Sequence, residues 1–152
     1  HRAVRLDRGV AEDLPHTESA RGAEPPRPDQ EALSIGEGRL IYHTYLKPLL
    51  VSTGLIHASP TVFEYGVGEG HILKAVGEDG LTCGGVDRSL TLLDACRRRL
   101  PRATAFGLLD DRGRSDFASA WADFAYAFVA IRHLRQTSQI RNAVAEIARI
   151  LK

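Results

Sequence analysis

The spacing of apolar residues divides the chain into three stretches. Residues 1–30 show no apolar period, and Pro15, Pro25, Pro26 and Pro28 stand there among charges. That pattern predicts a disordered or loosely attached arm. Residues 31–60 read as an N-terminal helical segment. Within it Ile41, Tyr42, Tyr45, Leu46, Leu49 and Leu50 recur at helical spacing over 37–54. Pro48 interrupts this run and either kinks the helix or opens a second short one. Gly54 suits its C-terminal stop.

From residue 61 to 152 strand and helix patterns alternate. Thr61 to Tyr65 is a β-favouring run that ends in a glycine cluster, and a helix of one to two turns follows from His71 to near Gly77–Gly80. Leu81 to Val86 reads as a second strand. Ser89 can cap a helix carrying Leu90, Leu93, Cys96 and Leu100, which Pro101 ends. Thr104 to Leu109 reads as a third strand, and the apolar run Asp123 to Ala130 as a buried fourth. Ile140, Val144, Ile147 and Leu151 then mark an amphipathic helix, with Arg141, Glu146 and Arg149 on its outer side. This alternation predicts an α/β domain, a parallel sheet with helices on both faces.

Composition changes this picture little. The 152 residues carry a formal net charge of +1, which leaves no electrostatic footprint for nucleic acid or an anionic membrane. The run Arg97, Arg98, Arg99 suits a helix C-terminus. Cys83 and Cys96 lack metal or redox spacing and read as buried free thiols of a reducing compartment. No stretch has the length of a spanning helix, and the charged N-terminus lacks a signal core. The expectation is a cytoplasmic protein. No His/Cys/Asp cluster has metal-ligand spacing, and nothing sets the oligomeric state. The chain opens on His1, contains no methionine and stops at Lys152 straight after a helical pattern, which reads as a fragment.

The chemistry concentrates where the strands end, as ligands in open parallel sheets sit beyond the carboxyl ends of the strands. The first strand runs into Glu64-Tyr65-Gly66-Val67-Gly68-Glu69-Gly70. Three glycines at alternate positions permit a tight turn and let a ligand press on bare backbone. Asp87, 21 residues after Gly66, ends the second strand, where a carboxylate can accept from both hydroxyls of a ribose. A dinucleotide fingerprint wants a glycine where His71 stands, and no Gly-Lys-Ser/Thr of a phosphate loop follows. Glu64 and Glu69 would repel a pyrophosphate. A cationic adenosine compound without phosphate, S-adenosylmethionine, suits this acidic turn better.

These segments resemble, in order, the motifs of class I S-adenosylmethionine-dependent methyltransferases, a Rossmann-like fold. Val62 to Gly70 looks like the first motif, Gly85-Val86-Asp87-Arg88-Ser89 the second, and Phe106-Gly107-Leu108-Leu109-Asp110 the third. Ala122 to Tyr126, running on to Ile131-Arg132-His133-Leu134, looks like the fourth strand and the turn after it. Ala145 to Lys152 looks like the helix leading to a fifth strand. The resemblance covers about residues 40–152 and implies a sheet whose first four strands are present and whose later strands are absent. It implies cofactor contacts at Glu64, Gly66, Gly68, Gly70, Asp87 and Arg88, with Asp110 or Asp111 near the adenine. Leu109 departs from the small residue usual before that acid, and Tyr65 from the usual aliphatic.

The turn after the fourth strand has no proline, unlike the Pro-Pro-aromatic loop of enzymes methylating amino groups of DNA bases, and is closer to enzymes acting on small molecules. His133 can take a proton from an acceptor. The implied reaction is in-line displacement, in which the protein chiefly aligns the reacting atoms. The rivals are a nicotinamide-dependent oxidoreductase and a non-catalytic scaffold of the same fold.

Overall fold

The computed structural model of the protein describes residues 28–100 and 104–152. The first 27 residues of the expected arm, and Pro101, lie outside the described residues. Helix α1 (Pro28–Ile41) already includes the end of that arm. It continues through a widened π-helical turn, Tyr42–Leu46, into α2 (Lys47–Ser52). Pro48 accounts for the widening. It has no N–H and its ring crowds the preceding turn, so the helix opens one turn earlier, where the Lys47 N–H reaches the Tyr42 carbonyl. Both readings of Pro48 therefore hold in part. Tyr42, Leu46 and Leu50 are buried, whereas Tyr45 and Leu49 of the same run are exposed. Gly54, left-handed at φ 74°, ends the segment as its position suggested.

The sheet holds β1 (Val62–Tyr65), β2 (Cys83–Asp87), β3 (Thr104–Leu108) and β4 (Phe124–Tyr126). Their order is β3-β2-β1-β4, all parallel. The chain builds outward from β1 to β3, then returns to the other side of β1. That reversal opens a crevice at the carboxyl ends of β1 and β4, the usual place for a ligand. Helices α3 (His71–Glu78) and α4 (Leu90–Arg99) join the N-terminal helices on one face, around Leu73, Val76, Leu93 and Cys96. Helix α5 (Thr137–Ile150) covers the other face, around Phe63, Val86, Ala143 and Ile150. The expected α/β, Rossmann-like arrangement is thus present with four strands. Among the described residues no helix is long and apolar enough to cross a membrane.

Ser89 caps α4 by accepting from the Leu92 N–H at 3.3 Å, as its position suggested. Three expectations need correction. Leu90 is exposed rather than buried against the sheet, so Leu93 and Cys96 carry the packing of α4. The fourth strand spans Phe124–Tyr126 and not the whole run to Ala130. The apolar residues beyond it leave the sheet to line a cavity, which selects apolar side chains just as a core does.

The third correction concerns α5. Its buried face is Ala143, Glu146 and Ile150, while Val144 is 54% exposed and Glu146 only 2%. The helix is turned by about one residue from the expected face. The Ser115 N–H and hydroxyl donate to Glu146 Oε1 at 2.9 and 2.7 Å, and Arg149 donates to both carboxylate oxygens. Burial opposes ionisation of Glu146, but Arg149 and Ser115 outweigh it and hold the carboxyl down at about 2. A buried carboxylate persists because it is paired and hydrogen-bonded.

Candidate functional site

The loop between β1 and α3 holds Gly66, Gly68 and Gly70 at φ 78°, 55° and 77°, all left-handed. The three serve different ends. A Cβ on Gly66 would collide with Ala130, and one on Gly70 with the Cys96 sulfur, so those two close the packing around the loop. A Cβ on Gly68 meets nothing within 4 Å. Its bare backbone faces an open cleft, a cradle that any side chain would fill.

Asp87, at the end of β2, shapes this loop. Its Oδ2 accepts the Gly68 N–H and its Oδ1 the Ser89 N–H, both at 2.9 Å. A carboxylate offers about four acceptor positions, so two backbone bonds leave room for a ligand's hydroxyls. The neighbouring Arg88 donates to the Asp111 carbonyl at 3.1 Å, tying the β2 and β3 ends together.

The cleft has two lobes. One, about 330 Å3, is lined by Asp87, Arg88, Leu92, Leu109, His133 and Leu134, together with Tyr65 and Ala130. The other, about 260 Å3, runs towards α1 past Ser34, Glu37, Glu64, Glu69 and His71. Gly66, Gly68, Phe128 and Val129 line both. Leu92, Leu109 and Leu134 give the first lobe apolar walls for a flat ring, with Asp87 at its polar end.

The acids behave less uniformly than their letters suggest. Glu69 turns back on the loop: its carbonyl accepts from Arg99, and its carboxylate lies 3.4 Å from Arg99 and 3.3 Å from His71. Glu64 is 3% exposed and accepts from the Tyr126 hydroxyl at 3.0 Å, a pairing set by the register of β1 against β4. Burial pushes its carboxyl up to about 8, against the Tyr126 hydrogen bond, and the nearby Asp87 charge adds to the rise. The free loop therefore carries less negative charge than the sequence argument assumed.

A group whose folded pKa is raised gives stability that is fully present below its ordinary pKa and lost as pH climbs through the folded value. For Glu64 that window runs from about 4.5 to about 8. Glu64→Gln keeps an acceptor for Tyr126 without a charge. We expect the variant to melt several degrees above the parent at pH 8.5, on the order of 1–2 kcal/mol, with the gap closing towards pH 5. Thermal melts across pH read this directly, and parallel curves would place the raised carboxyl elsewhere.

Asp110 and Asp111, one of which the resemblance puts near the adenine, are both exposed. Asp110 Oδ1 accepts the backbone N–H groups of Arg112 and Arg114 at 2.9 and 2.8 Å, closing its own loop. Neither acid lines the cleft in this structure, where Leu109 does. His133 is exposed at the rim, its Nε2 3.4 Å from Arg132 Nε. Cys83 and Cys96 are both buried, and burial pushes the Cys96 thiol up to about 12, far from a nucleophile's range. Among the described residues no cluster of His, Cys, Asp and Glu could hold a metal ion.

Sequence reasoning missed Leu92, Phe128 and Val129 as cleft residues. Apolarity alone marks them as core; the end of β4 at Tyr126 brings Phe128 and Val129 to the cleft as well, and α4 presents Leu92 to it.

The family model of a methyltransferase domain matches residues 63–152, more than half of the chain. The chain belongs to the methyltransferase-domain family. No curated protein matches it. Among solved structures, DesVI of Streptomyces venezuelae is 23% identical at a TM-score of 0.62, over 82% of this chain and 51% of that one. CalS10, an amino pentose methyltransferase from Micromonospora echinaspora solved with S-adenosylmethionine bound, is 20% identical at 0.61, over 86% and 55%. PH0226 of Pyrococcus horikoshii OT3 is 21% identical at 0.60, over 75% and 53%. The chain thus spans about half the length of these structures, which share its fold. S-adenosylmethionine is the cofactor of this methyltransferase domain, and the open space at Gly68 and the acid beside it fit that molecule.

Proposed function

We propose that the protein transfers a methyl group from S-adenosylmethionine to a small-molecule acceptor. The observation that carries this reading is the Gly68–Asp87 pair, a ligand-sized opening over bare backbone with a carboxylate locked beside it. Bound cofactor supplies an activated methyl on a sulfonium. The chain's own residues do the rest. Asp87 accepts from the ribose hydroxyls. Leu92, Leu109 and Leu134 sandwich the adenine and exclude water. Glu64, in the second lobe, would hold the cofactor's ammonium, whose positive charge would favour the carboxylate so that the proton leaves to solvent. His133 at the rim receives a proton from an acceptor that needs to lose one.

We take the acceptor to be a small molecule that approaches at the rim of the cleft, beside His133. The near-neutral charge of the chain argues against a nucleic-acid acceptor. CalS10, which acts on an amino pentose, shows such an acceptor on a similar fold. The buried thiol of Cys96 fits a cytoplasmic protein.

Isothermal titration with S-adenosylhomocysteine tests the reading, with the nicotinamide dinucleotide as the competing ligand. Micromolar binding of the first and none of the second is expected. The reverse would make the domain an oxidoreductase, and binding of neither would make it a scaffold.

A further inference from the structure

Three residues among those described hold left-handed backbones without being glycine: Ser59, Ala120 and Val129. Ala120 and Ser59 belong to loops away from the cleft, and the Ala120 N–H is held by the Arg149 carbonyl. Val129 is the unusual case. A β-branched residue at φ 67° and ψ −29° is a steric outlier, and such residues persist only where their surroundings over-determine them.

The surroundings are the cleft itself. Val129 stands three residues past the end of β4 and starts the 3-10 turn Ala130–His133, whose Arg132 N–H bonds back to the Val129 carbonyl at 3.1 Å. The next residue, Ala130, abuts Gly66, whose missing Cβ makes space for it. The turn is therefore pinned from both ends. Its effect is to stand Val129 at the boundary of the two lobes, lining both and still 43% exposed.

That boundary has a chemical meaning if the proposed function holds. In S-adenosylmethionine the sulfur is the single atom joining the adenosine to the amino-acid chain. A cofactor with its ribose at Asp87 and its ammonium at Glu64 must cross from lobe to lobe at the sulfonium. Phe128 and Val129 are the side chains other than glycine that both lobes share.

We propose that Val129 is a positioning residue for the transfer step, its strained turn holding the isopropyl group against the methyl on sulfur. There it fixes the direction of that methyl and the distance at which an acceptor can approach. The carbon–sulfur bond that breaks and the acceptor–carbon bond that forms lie on the line Val129 borders, and the side chain itself takes no part in either.

The test needs no acceptor. S-adenosylmethionine and S-adenosylhomocysteine differ by the transferred methyl and its charge, so a residue that touches the methyl changes the ratio of their dissociation constants. Val129→Gly accommodates the same backbone and removes the side chain. We expect it to shift the ratio about fourfold in favour of S-adenosylhomocysteine, the value of one buried methyl-sized contact, with S-adenosylhomocysteine affinity held within twofold. Val129→Ala deletes the same two methyls without freeing the backbone and should give the same shift. Val129→Ile should restore the parent ratio. Thermal melts establish that each variant is folded. Equal weakening for both ligands would make Val129 only a turn residue, and an unchanged ratio in both truncated variants would remove it from the transfer zone. A parent chain that binds neither ligand would instead overturn the proposed function and take this inference with it.

Discussion

Gly68→Val abolishes binding of S-adenosylhomocysteine while the domain stays folded. The added Cβ meets no protein atom within 4 Å beyond its chain neighbours. It enters the cleft at a point both lobes share, where a ligand must lie close to the chain. The backbone at φ 55° strains any side chain, and this costs the fold about 1–3 kcal/mol. The cost to binding is larger, at least about 100-fold. Gly68→Ala gives the milder form of the same experiment, with less strain and partial loss. Gly66→Val and Gly70→Val are the contrast: they collide with Ala130 and Cys96 inside the protein and should lose the fold itself. Isothermal titration beside circular-dichroism melts separates the two outcomes. Normal affinity in the folded Gly68→Val protein would mean that the glycine is there for the turn alone.

Asp87→Ala weakens the same ligand about ten- to hundredfold, or roughly 1.5–3 kcal/mol, the range for hydrogen bonds to a charged group. Two effects contribute. The ribose hydroxyls lose their acceptor, and the backbone N–H groups of Gly68 and Ser89 lose theirs, so the loop loosens and the start of α4 is disturbed. The variant should therefore also melt lower than the parent. Asp87→Asn separates the contributions because it keeps the shape and one acceptor oxygen. We expect it to recover most of the melting temperature and only part of the affinity. Affinity equal to the parent's in Asp87→Ala would take this residue out of the site.

The strand ends were legible in the chain because local chemistry dictates them. Three alternate glycines after a β-favouring run mark a tight turn because glycine takes up left-handed backbone without steric cost, and all three do so. An acid at the end of the next strand falls beside that turn through the parallel register of β1 and β2. The capping role of Ser89 is equally local. Glu69 shows where local reading stops. In the sequence it is an acid inside the ligand turn; in the fold it faces Arg99, 30 residues later.

The sequence by itself determined the α/β alternation, the glycine turn and the place of Asp87, since each follows from residues a few positions apart. The tertiary structure alone decided which face of α5 is buried, what state Glu64 is in and what the run after Tyr126 does. Glu146 is inside because Ser115 and Arg149 satisfy it, although a charge at that position reads as solvated from its helix alone. Glu64 stays neutral because burial removes water and Asp87 stands near, outweighing the Tyr126 hydroxyl that β4 brings to it, and spacing reveals none of this. Val129 lines a cleft, and Phe128 both lines it and packs against the core, because the chain leaves the sheet after three residues of β4. Periodicity reports only that a side chain avoids water, and the partners brought together across the sheet decide what it meets instead.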